Sequence, residues 1–429
     1  MLEFSKGVTE TISDETAMKR IGVIGAGPAG MAAALEAARQ GAAVLLFDSN
    51  PRLGRKLMTT GSGRGNLTNH GVCAERYATS NHIVLDQALS RFNPGDLIEW
   101  LAKLGIPTYA TQDGWVYPLS NAAANVVDIF EARLQQAGVT LHLRTLIRDI
   151  IPATAGINPK GKRYELVEPD RSRIHAVDRV IVATGGKAAP KSGSRGELLP
   201  ILARLGHTIL PVYPALAPLL TDRRPLHKLQ GVRLDARLAL SIGETRLGET
   251  TGNIIFTEWG INGPGVMDLS HLAGGREGQP LRLTIDFLHA HQTTLERLLD
   301  DSQNLELPLQ AALEAVLPAK VAALFRERAG LPAEVTLRQL TSQARRALLQ
   351  DLMATEVAVI GTRGFEFCQA SSGGVALEEI DPETMESRLR RGLYIAGELL
   401  DVVGPCGGYN LHWAFTSGRL AGIAAGAES

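Results

Sequence analysis

Cysteine, aromatic residues and net charge are all scarce in this chain of 429 residues. Its three cysteines, Cys73, Cys368 and Cys406, stand far apart, which excludes a disulfide framework and the paired spacing of a zinc site. A formal net charge of −1 argues against a globally basic nucleic-acid-binding protein. No apolar run is long enough to cross a bilayer, and the polar first 19 residues have no signal-peptide core. We therefore expect a cytoplasmic protein without membrane segments.

Motifs for hydrolysis and metal binding are also missing. Neither a Gly-x-Ser-x-Gly elbow nor a zinc-protease pattern is present. His289-Ala290-His291 has no cysteine or acidic partner at ligand spacing, so we interpret it as surface histidines at the start of a helix. No metal site is predicted.

A glycine-rich turn near the amino terminus carries the most information. The turn is Gly25-Ala26-Gly27-Pro28-Ala29-Gly30, and an apolar run at 21–24 precedes it. A helical stretch at 31–39 follows, and then a second apolar run at 43–47 that is followed directly by Asp48. Strand, glycine turn, helix, strand and acid within about thirty residues are the dinucleotide-binding fingerprint.

Each position of this fingerprint has a physical role. Gly25 permits the tight turn, Gly27 lets the backbone approach a pyrophosphate, and Gly30 lets helix and strand pack closely. The helix amino terminus, with Pro28 and Ala29, offers free N–H groups and a positive dipole end to the phosphates. Asp48, followed by Ser49, is placed to accept hydrogen bonds from the adenosine ribose.

A loop rich in glycine, threonine and asparagine follows over 51–69. Such a composition suits neither a core helix nor a core strand, and it leaves the backbone free to approach a ligand. The loop leaves the carboxyl end of the second strand, where ligands bind in open α/β sheets, so a ligand loop is favoured over a plain surface loop. Arg55 and Lys56 are expected near the pyrophosphate or the redox-active ring of the cofactor, and Gly61, Gly63 and Asn66 are expected to line that ring.

Two later segments favour FAD over NAD as the tightly bound cofactor. One strand ends in Ala183-Thr184-Gly185-Gly186, and a terminal strand ends in Gly397-Glu398. Glu398 is suited to bind a ribitol hydroxyl. The free N–H groups of the glycine-led helix that follows, over Gly407-Gly408-Tyr409-Asn410, can face the N1–C2 edge of the flavin. An NAD-only Rossmann domain needs no such terminal signature. A second glycine fingerprint is absent, so NAD(P)H is expected to bind only transiently, as a hydride donor, with another reductant as the alternative.

The pattern of helical and alternating segments in the rest of the chain predicts an interrupted α/β fold. Amphipathic helices are predicted over 86–104 and 121–136, short alternating runs over 211–280, and further helices up to 353. The predicted domains are an FAD-binding domain, first part, at 20–195; an inserted β-rich subdomain at 196–290; an inserted helical subdomain at 291–354; and the second part of the FAD-binding domain at 355–429.

Several long motifs resemble those of a known family, the HI0933-like or YhiN-like bacterial NAD(P)/FAD-dependent oxidoreductases. They span nearly all of residues 20–425 and are Asn50-Pro51-Arg52-Leu53-Gly54-Arg55-Lys56-Leu57, then 60–69, Phe256-Thr257-Glu258-Trp259-Gly260-Ile261-Asn262-Gly263-Pro264, 384–387 and 393–418. The resemblance implies a Rossmann-like FAD-binding domain interrupted by a β-barrel-like and a small helical subdomain. It also implies reduction or oxidation of an activated C=C bond. Relatives act on uridine of ribosomal RNA and on steroid thioesters, so the family alone does not identify the substrate.

Two departures from the family pattern concern the proton donor. Gly65 stands where the family has cysteine, and Cys406 stands where it has threonine. The catalytic residues therefore stay unassigned, with Tyr409 and Cys406 as the only titratable candidates near the flavin. A buried structural thiol is the alternative for Cys406.

We expect an FAD-dependent oxidoreductase that transfers hydride from a nicotinamide donor through flavin N5 to an activated C=C bond. One alternative is a ribosomal RNA uridine reductase, and a second is a flavin-binding sensor without turnover. Basic pairs such as Arg345-Arg346 are normally solvated surface residues. An RNA base therefore stays a possible substrate, but the net charge of the chain gives no support for it. A small-molecule substrate is the main expectation.

Overall fold

The computed structural model describes residues 18–153, 163–222, 224, 226–300 and 305–427. Of the polar first 19 residues, only Met18 and Lys19 are among them. The strands are β1 (Arg20–Ile24), β2 (Ala43–Asp48), β3 (Thr68–Asn69), β4 (Ala78–Thr79), β5 (Thr108–Ala110), β6 (Trp115–Pro118), β7 (Thr140–Leu143), β8 (Asp149–Pro152), β9 (Tyr164–Val167), β10 (Ile174–Val177), β11 (Arg179–Val182), β12 (Ile209–Ala215), β13 (Leu219–Thr221), β14 (Arg233–Ile242), β15 (Thr245–Phe256), β16 (Gly260–Asn262), β17 (Leu281–Asp286), β18 (Thr355–Thr362), β19 (Ala370–Val375), β20 (Leu393–Ile395) and β21 (Val402–Val403). The helices are α1 (Pro28–Arg39), α2 (His82–Ser90), α3 (Pro94–Leu104), α4 (Ala123–Gln136), α5 (Leu199–Arg204), α6 (Pro264–Met267), α7 (Gln292–Asp300), α8 (Leu309–Glu314), α9 (Ala319–Arg328), α10 (Ser342–Met353) and α11 (Tyr409–Gly426).

A five-stranded parallel sheet forms the centre of the fold, in the order β20-β11-β1-β2-β7. Its inner strands are almost continuously apolar and buried, because a parallel sheet covered on both faces leaves no strand side in water. Four of these strands end at one edge of the sheet, at Ile24, Asp48, Val182 and Ile395. The predicted Rossmann-like core is confirmed.

Helices α1 and α11, from opposite ends of the chain, pack against each other through small residues. A Cβ on Gly418 would lie 2.1 Å from the carbonyl oxygen of Ala29, and one on Gly422 would lie 2.3 Å from that of Ala33. Only glycine permits such close approach of two helix backbones. The last helix is therefore an integral layer of the nucleotide-binding core.

A closed six-stranded barrel, β13-β16-β15-β14-β17-β18, is inserted between β11 and β20. Its interior and the helices α7 to α10 share one apolar core, which includes Leu283, Phe287 and Phe325. The expected barrel and helical insertions are thereby confirmed as architecture. Strand β18 closes the barrel by pairing with β13 and β17, although the sequence placed 355–362 in the second part of the FAD-binding domain. The four domain bounds themselves stay predictions.

The helix predicted over 86–104 is wrong in its extent, because the chain forms two helices there. Helix α2 ends at Ser90 and α3 begins at Pro94. The Asn93 side chain accepts hydrogen bonds from the N–H groups of Gly95 and Asp96, at 2.8 and 3.1 Å, and the Asp96 carboxylate accepts one from the N–H of Asn93 at 2.9 Å. This capping box, followed by a proline, starts a new helix and turns the chain.

A small antiparallel sheet, β3-β6-β5, stands beside the central sheet and carries aromatic side chains on β6. Among the described residues, no helix is both long and apolar enough to span a bilayer.

Candidate active site

A cavity of about 560 Å³ lies at the sheet edge where β1, β2, β11 and β20 end. Ligands of open α/β sheets bind at this edge, so the cavity is where the fingerprint requires the dinucleotide to be. It brings together most of the residues singled out in the sequence: Gly25, Gly27, Pro28, Ala29, Asp48, Ser49, Arg55, Lys56, Gly61, Asn66, Ala183, Thr184, Gly185, Gly397, Glu398, Cys406, Gly407, Gly408 and Asn410.

Three predicted residues do not line this cavity. Gly30 lies behind the turn, where its missing side chain permits the contact with Gly25. Gly63 is in the loop but faces elsewhere. Tyr409 is buried, and its hydroxyl donates to the carbonyl oxygen of Gly71 at 3.3 Å. The Tyr409 hydroxyl is therefore engaged with the backbone just after β3, and a catalytic role for it stays a prediction.

The glycine turn has the geometry that the fingerprint predicts. Gly25 has φ of +101°, and its N–H donates to the carbonyl oxygen of Phe47 at 2.8 Å. A Cβ on Gly30 would stand 1.7 Å from the carbonyl oxygen of Gly25. By contrast, a Cβ on Gly27 would meet no protein atom within 4 Å. The backbone at Gly27 thus faces open space at the amino end of α1, which suits a phosphate.

Asp48 is held by the turn itself. One carboxylate oxygen accepts a hydrogen bond from the N–H of Ala26 at 2.7 Å, and the other accepts two from the backbone and side chain of Asn50, at 2.7 and 2.9 Å. A carboxylate can accept about four hydrogen bonds, so capacity is left for a ribose hydroxyl. Asp48 therefore fixes the turn in addition to the predicted ribose contact.

Lys56 and Glu398 form an ion pair within the cavity. The other carboxylate oxygen of Glu398 accepts hydrogen bonds from the backbone N–H and the hydroxyl of Ser371, both at 2.9 Å. Both side chains of the ion pair are mostly buried. A charge-assisted pair of this kind holds the 51–69 loop against the end of β20.

The residues present fit FAD. Within the described part of the chain, two buried side-chain oxygens facing the cavity have no hydrogen-bond partner: Oδ1 of Asn66 and Oγ1 of Thr184. Buried polar atoms are nearly always paired in folded proteins, so unpaired ones in a cavity point to a polar ligand. Asn66 lies beside Gly408, where a Cβ would be 2.8 Å from its Oδ1. This is the region predicted to face the isoalloxazine.

Part of the cavity lining is apolar and lies outside the dinucleotide elements. Pro264 and Met267 enter from α6 of the inserted barrel, Leu216 from the segment between β12 and β13, and Trp115 and Tyr117 from β6. The Trp115 ring covers Gly407, where a Cβ would be 3.0 Å from ring atoms. We call these five side chains the apolar end. No motif in the sequence joined them, although Pro264 closes one of the family-like segments.

A basic side chain borders this apolar end. The Arg64 guanidinium lies 4.5 Å from the centre of the Tyr117 ring, a cation–π contact. Burial raises the pKa of the Tyr117 hydroxyl, and Arg64 opposes that rise. Tyr117 is therefore a neutral hydroxyl at physiological pH, suited to hydrogen bonding rather than to proton release.

An acid and a thiol meet near the apolar end. The backbone N–H of Cys406 donates to Oδ1 of Asp268 at 2.7 Å. Burial raises the pKa of the Asp268 carboxyl to about 6. Burial and the nearby carboxylate raise the pKa of the Cys406 thiol well above its usual value. Asp268 was missed in the sequence, because only the fold brings it to Cys406.

Among the residues that the structure describes, no three His, Cys, Asp or Glu side chains form a group that could hold a metal ion. The parallel-sheet fold, the glycine turn and the Gly397-Glu398 segment before α11 define a Rossmann-type flavoprotein, an FAD-dependent oxidoreductase.

The chain belongs to the HI0933-like family. The family model, described as the HI0933-like protein Rossmann domain, matches residues 19–424. This confirms the resemblance found in the motifs.

Characterised relatives of the chain have different activities. It is 35% identical to the 3-dehydro-bile acid delta(4,6)-reductase of Clostridium scindens, covering 95% of this chain and 99% of that protein. It is 29% identical to the ribosomal RNA dihydrouridine synthase of Escherichia coli, covering 92% and 95% respectively. A solved 3-ketosteroid-delta4-(5alpha)-dehydrogenase from Rhodococcus jostii has 15% identity and a TM-score of 0.47, over 98% of this chain and 99% of that one. The structural likeness does not bear on the activity.

Proposed function

We propose that this protein reduces an activated C=C bond of a small, apolar, conjugated ketone, with NAD(P)H as the source of hydride. The observation that carries this proposal is the apolar end, which continues the dinucleotide part of the cavity. Aromatic and aliphatic walls of this kind bind flat apolar rings, and a few polar groups then orient them. The bile acid reductase is a relative along nearly its whole length, which supports the same substrate class.

The chain's own residues divide the work along the cavity. Bound FAD supplies hydride transfer. The turn at Gly27 and the amino end of α1 would bind the pyrophosphate, and Asp48 would bind the ribose. Lys56 and Glu398 would hold the loop beside the ribitol, and the N–H groups at Gly408 would face the flavin edge. The apolar end excludes water and orients the ketone.

The decisive experiment is an anaerobic titration of the purified holoprotein with NADPH and with NADH, followed by its visible spectrum. We expect the FAD absorbance to bleach with one equivalent of one of the two donors. Mixing the reduced protein with 3-oxochola-4,6-dienoic acid should then restore the oxidised spectrum. A colourless protein that cannot be reconstituted with FAD, or a reduced protein indifferent to conjugated ketones, contradicts the proposal.

A pair of tryptophan variants tests the place of the substrate. Trp115→Leu should raise the KM for the dienone about tenfold, because it removes an aromatic wall of the apolar end. Trp259→Leu is the matched control, since Trp259 lies on the barrel outside the cavity. Reduction by the nicotinamide donor should be unchanged in both. Equal KM values in the two variants count against the apolar end as the substrate site.

The two alternatives give different results in the same assays. A ribosomal RNA uridine reductase, the activity named for the Escherichia coli relative, would be reoxidised by ribosomal RNA rather than by the dienone and would yield dihydrouridine. Its binding would weaken steeply with salt. A flavin-binding sensor without turnover would keep its oxidised spectrum with both nicotinamide donors.

A further inference from the structure

Asp268 and Cys406 join the inserted barrel to the flavin-facing loop. Asp268 directly follows α6 of the barrel, and Cys406 lies between β21 and α11. The Cys406 N–H donates to Oδ1 of Asp268 at 2.7 Å, across 138 positions of sequence, and the carboxylate is near enough to raise the pKa of the thiol. The pair therefore depends on the docking of two separate units.

Cys406 of this pair lies at the apolar end. Cys406 lines the cavity and packs in one small cluster with Leu216 and Met267, which line it too. Trp115 covers the next residue, Gly407. A ketone held by the apolar end is thus within the neighbourhood of the Cys406 sulfur.

Other candidate proton donors are placed less well. A Cβ on Gly65 would stand 3.2 Å from Ala123 of α4, so a thiol there faces the helix rather than the cavity. The Tyr409 hydroxyl is outside the cavity. Cys368 lines the cavity, but its thiol donates to the carbonyl oxygen of Phe365 at 3.4 Å.

We propose that Cys406 and Asp268 form a two-step proton relay, in which the thiol protonates the substrate and Asp268 returns a proton to the sulfur. This inference rests on the proposed reduction of a conjugated ketone. Cys406 is the catalytic residue of the relay, and Asp268 acts through it as a positioning and proton-supplying residue.

The relay balances in atoms and charge. Hydride from the reduced cofactor adds to the distal carbon of the conjugated C=C bond and leaves an enolate. The S–H bond of Cys406 breaks as a C–H bond forms at the carbon next to the carbonyl, which leaves a thiolate. The O–H proton of Asp268 then moves to the sulfur, and water reprotonates the carboxylate. Neither residue is oxidised or reduced.

The environment favours this order of transfers. The raised thiol pKa keeps Cys406 protonated at neutral pH, and a thiolate is a stronger base than the Asp268 carboxylate. The raised pKa of Asp268, about 6, keeps part of the population protonated near neutrality. Of the titratable groups around it, Arg76 opposes that rise, and His271, whose pKa burial lowers, is hydrogen-bonded to the Asp268 backbone.

The first test measures the thiol without any substrate. In a Cys73→Ser background, which removes the exposed cysteine, alkylation of Cys406 by iodoacetamide is followed at pH 8 by peptide mass spectrometry. Asp268→Asn keeps an oxygen to accept from the Cys406 N–H but removes the charge. Alkylation should become about tenfold faster, because loss of the nearby carboxylate charge lowers the thiol pKa and so raises the thiolate fraction. Asp235→Asn, on the outer barrel, is the control. Equal rates in all three proteins would falsify the pairing.

The second test isolates the substrate step. Holoprotein reduced with dithionite is mixed with 3-oxochola-4,6-dienoic acid, and reoxidation is followed in a stopped-flow instrument. Cys406→Ala should slow it about 100-fold, within the usual range for loss of a general acid. If the wild-type protein reacts and Cys406→Ala reacts as fast, the relay is wrong and the proposed function stands. If the wild-type protein is not reoxidised, both the proposed function and the catalytic role of the relay are wrong. Equal alkylation rates in the first test would in addition contradict the interaction between Cys406 and Asp268.

Discussion

Lys56 and Glu398 meet inside the cavity although 342 residues separate them in the sequence. Their ion pair ties the loop after β2 to the end of β20. Because both side chains are mostly buried, removing one partner leaves the other charge poorly solvated.

Breaking this pair should destabilise the protein measurably. Lys56→Met and Glu398→Gln are each expected to lower the free energy of unfolding by about 1–2 kcal/mol, between the values for exposed and fully buried pairs. Urea unfolding of both single variants and of the double variant gives the coupling, expected at about 1 kcal/mol. Additive single effects would show that the two charges do not interact.

Two glycines of the turn should respond to alanine in opposite ways. Gly30→Ala should cost about 3 kcal/mol or more, because its Cβ would overlap the Gly25 carbonyl oxygen. Gly27→Ala meets no protein atom, so the apoprotein should keep its stability while FAD affinity falls about tenfold or more. Apoprotein melting curves and FAD titration separate the two effects. A Gly27→Ala protein with normal FAD affinity would place the pyrophosphate elsewhere.

His412 should make the stability depend on pH. Burial lowers its pKa from about 6.5 to about 4 in the folded protein, where its ring nitrogens contact the Thr68 hydroxyl and the Phe92 carbonyl. At pH 7 the ring is neutral in both states. As pH falls through 6.5 the unfolded chain gains the proton first, so stability falls until about pH 4, with a loss of about 2 kcal/mol by pH 5. Urea unfolding of His412→Gln at pH 7 and pH 5 should show a smaller drop than the wild type, and an equal drop would exclude His412 as the cause.

A thiol at position 65 should not replace the one at 406. Gly65 is buried with φ of +80°, so Gly65→Cys should cost about 1–2 kcal/mol in unfolding free energy. The double variant Gly65→Cys/Cys406→Ala should reoxidise with the dienone as slowly as Cys406→Ala alone. Recovery of the rate would show that the thiol at 65 reaches the substrate after all.

The features that could be predicted from the sequence are those encoded by residues close together in the chain. The turn from Gly25 to Gly30 and the acid at Asp48 lie within one strand–helix–strand unit, so their spacing alone predicted the geometry. The break at Asn93 could have been predicted from the sequence. Asparagine followed by proline, with aspartate at the third helical position, is a strong signal for the start of a helix.

Long-range pairing explains what the sequence did not reveal. Strand β18 joins the barrel by pairing with β13, which no local periodicity encodes. Asp268 reaches Cys406 only after the barrel has docked on the nucleotide-binding core. The apolar end combines β6 with the barrel for the same reason. Contacts of this kind depend on the three-dimensional fold and leave no spacing rule in the chain.

The close packing of α11 on α1 also has a consequence for biosynthesis. The ribosome releases α1 early, but the glycine face that covers it, at Gly418 and Gly422, emerges only after the barrel and its helices. The barrel and its helices can fold before α11 is available to pack against α1 and the central sheet. Assembly of the nucleotide pocket is therefore a late event, which requires that α11 has been translated.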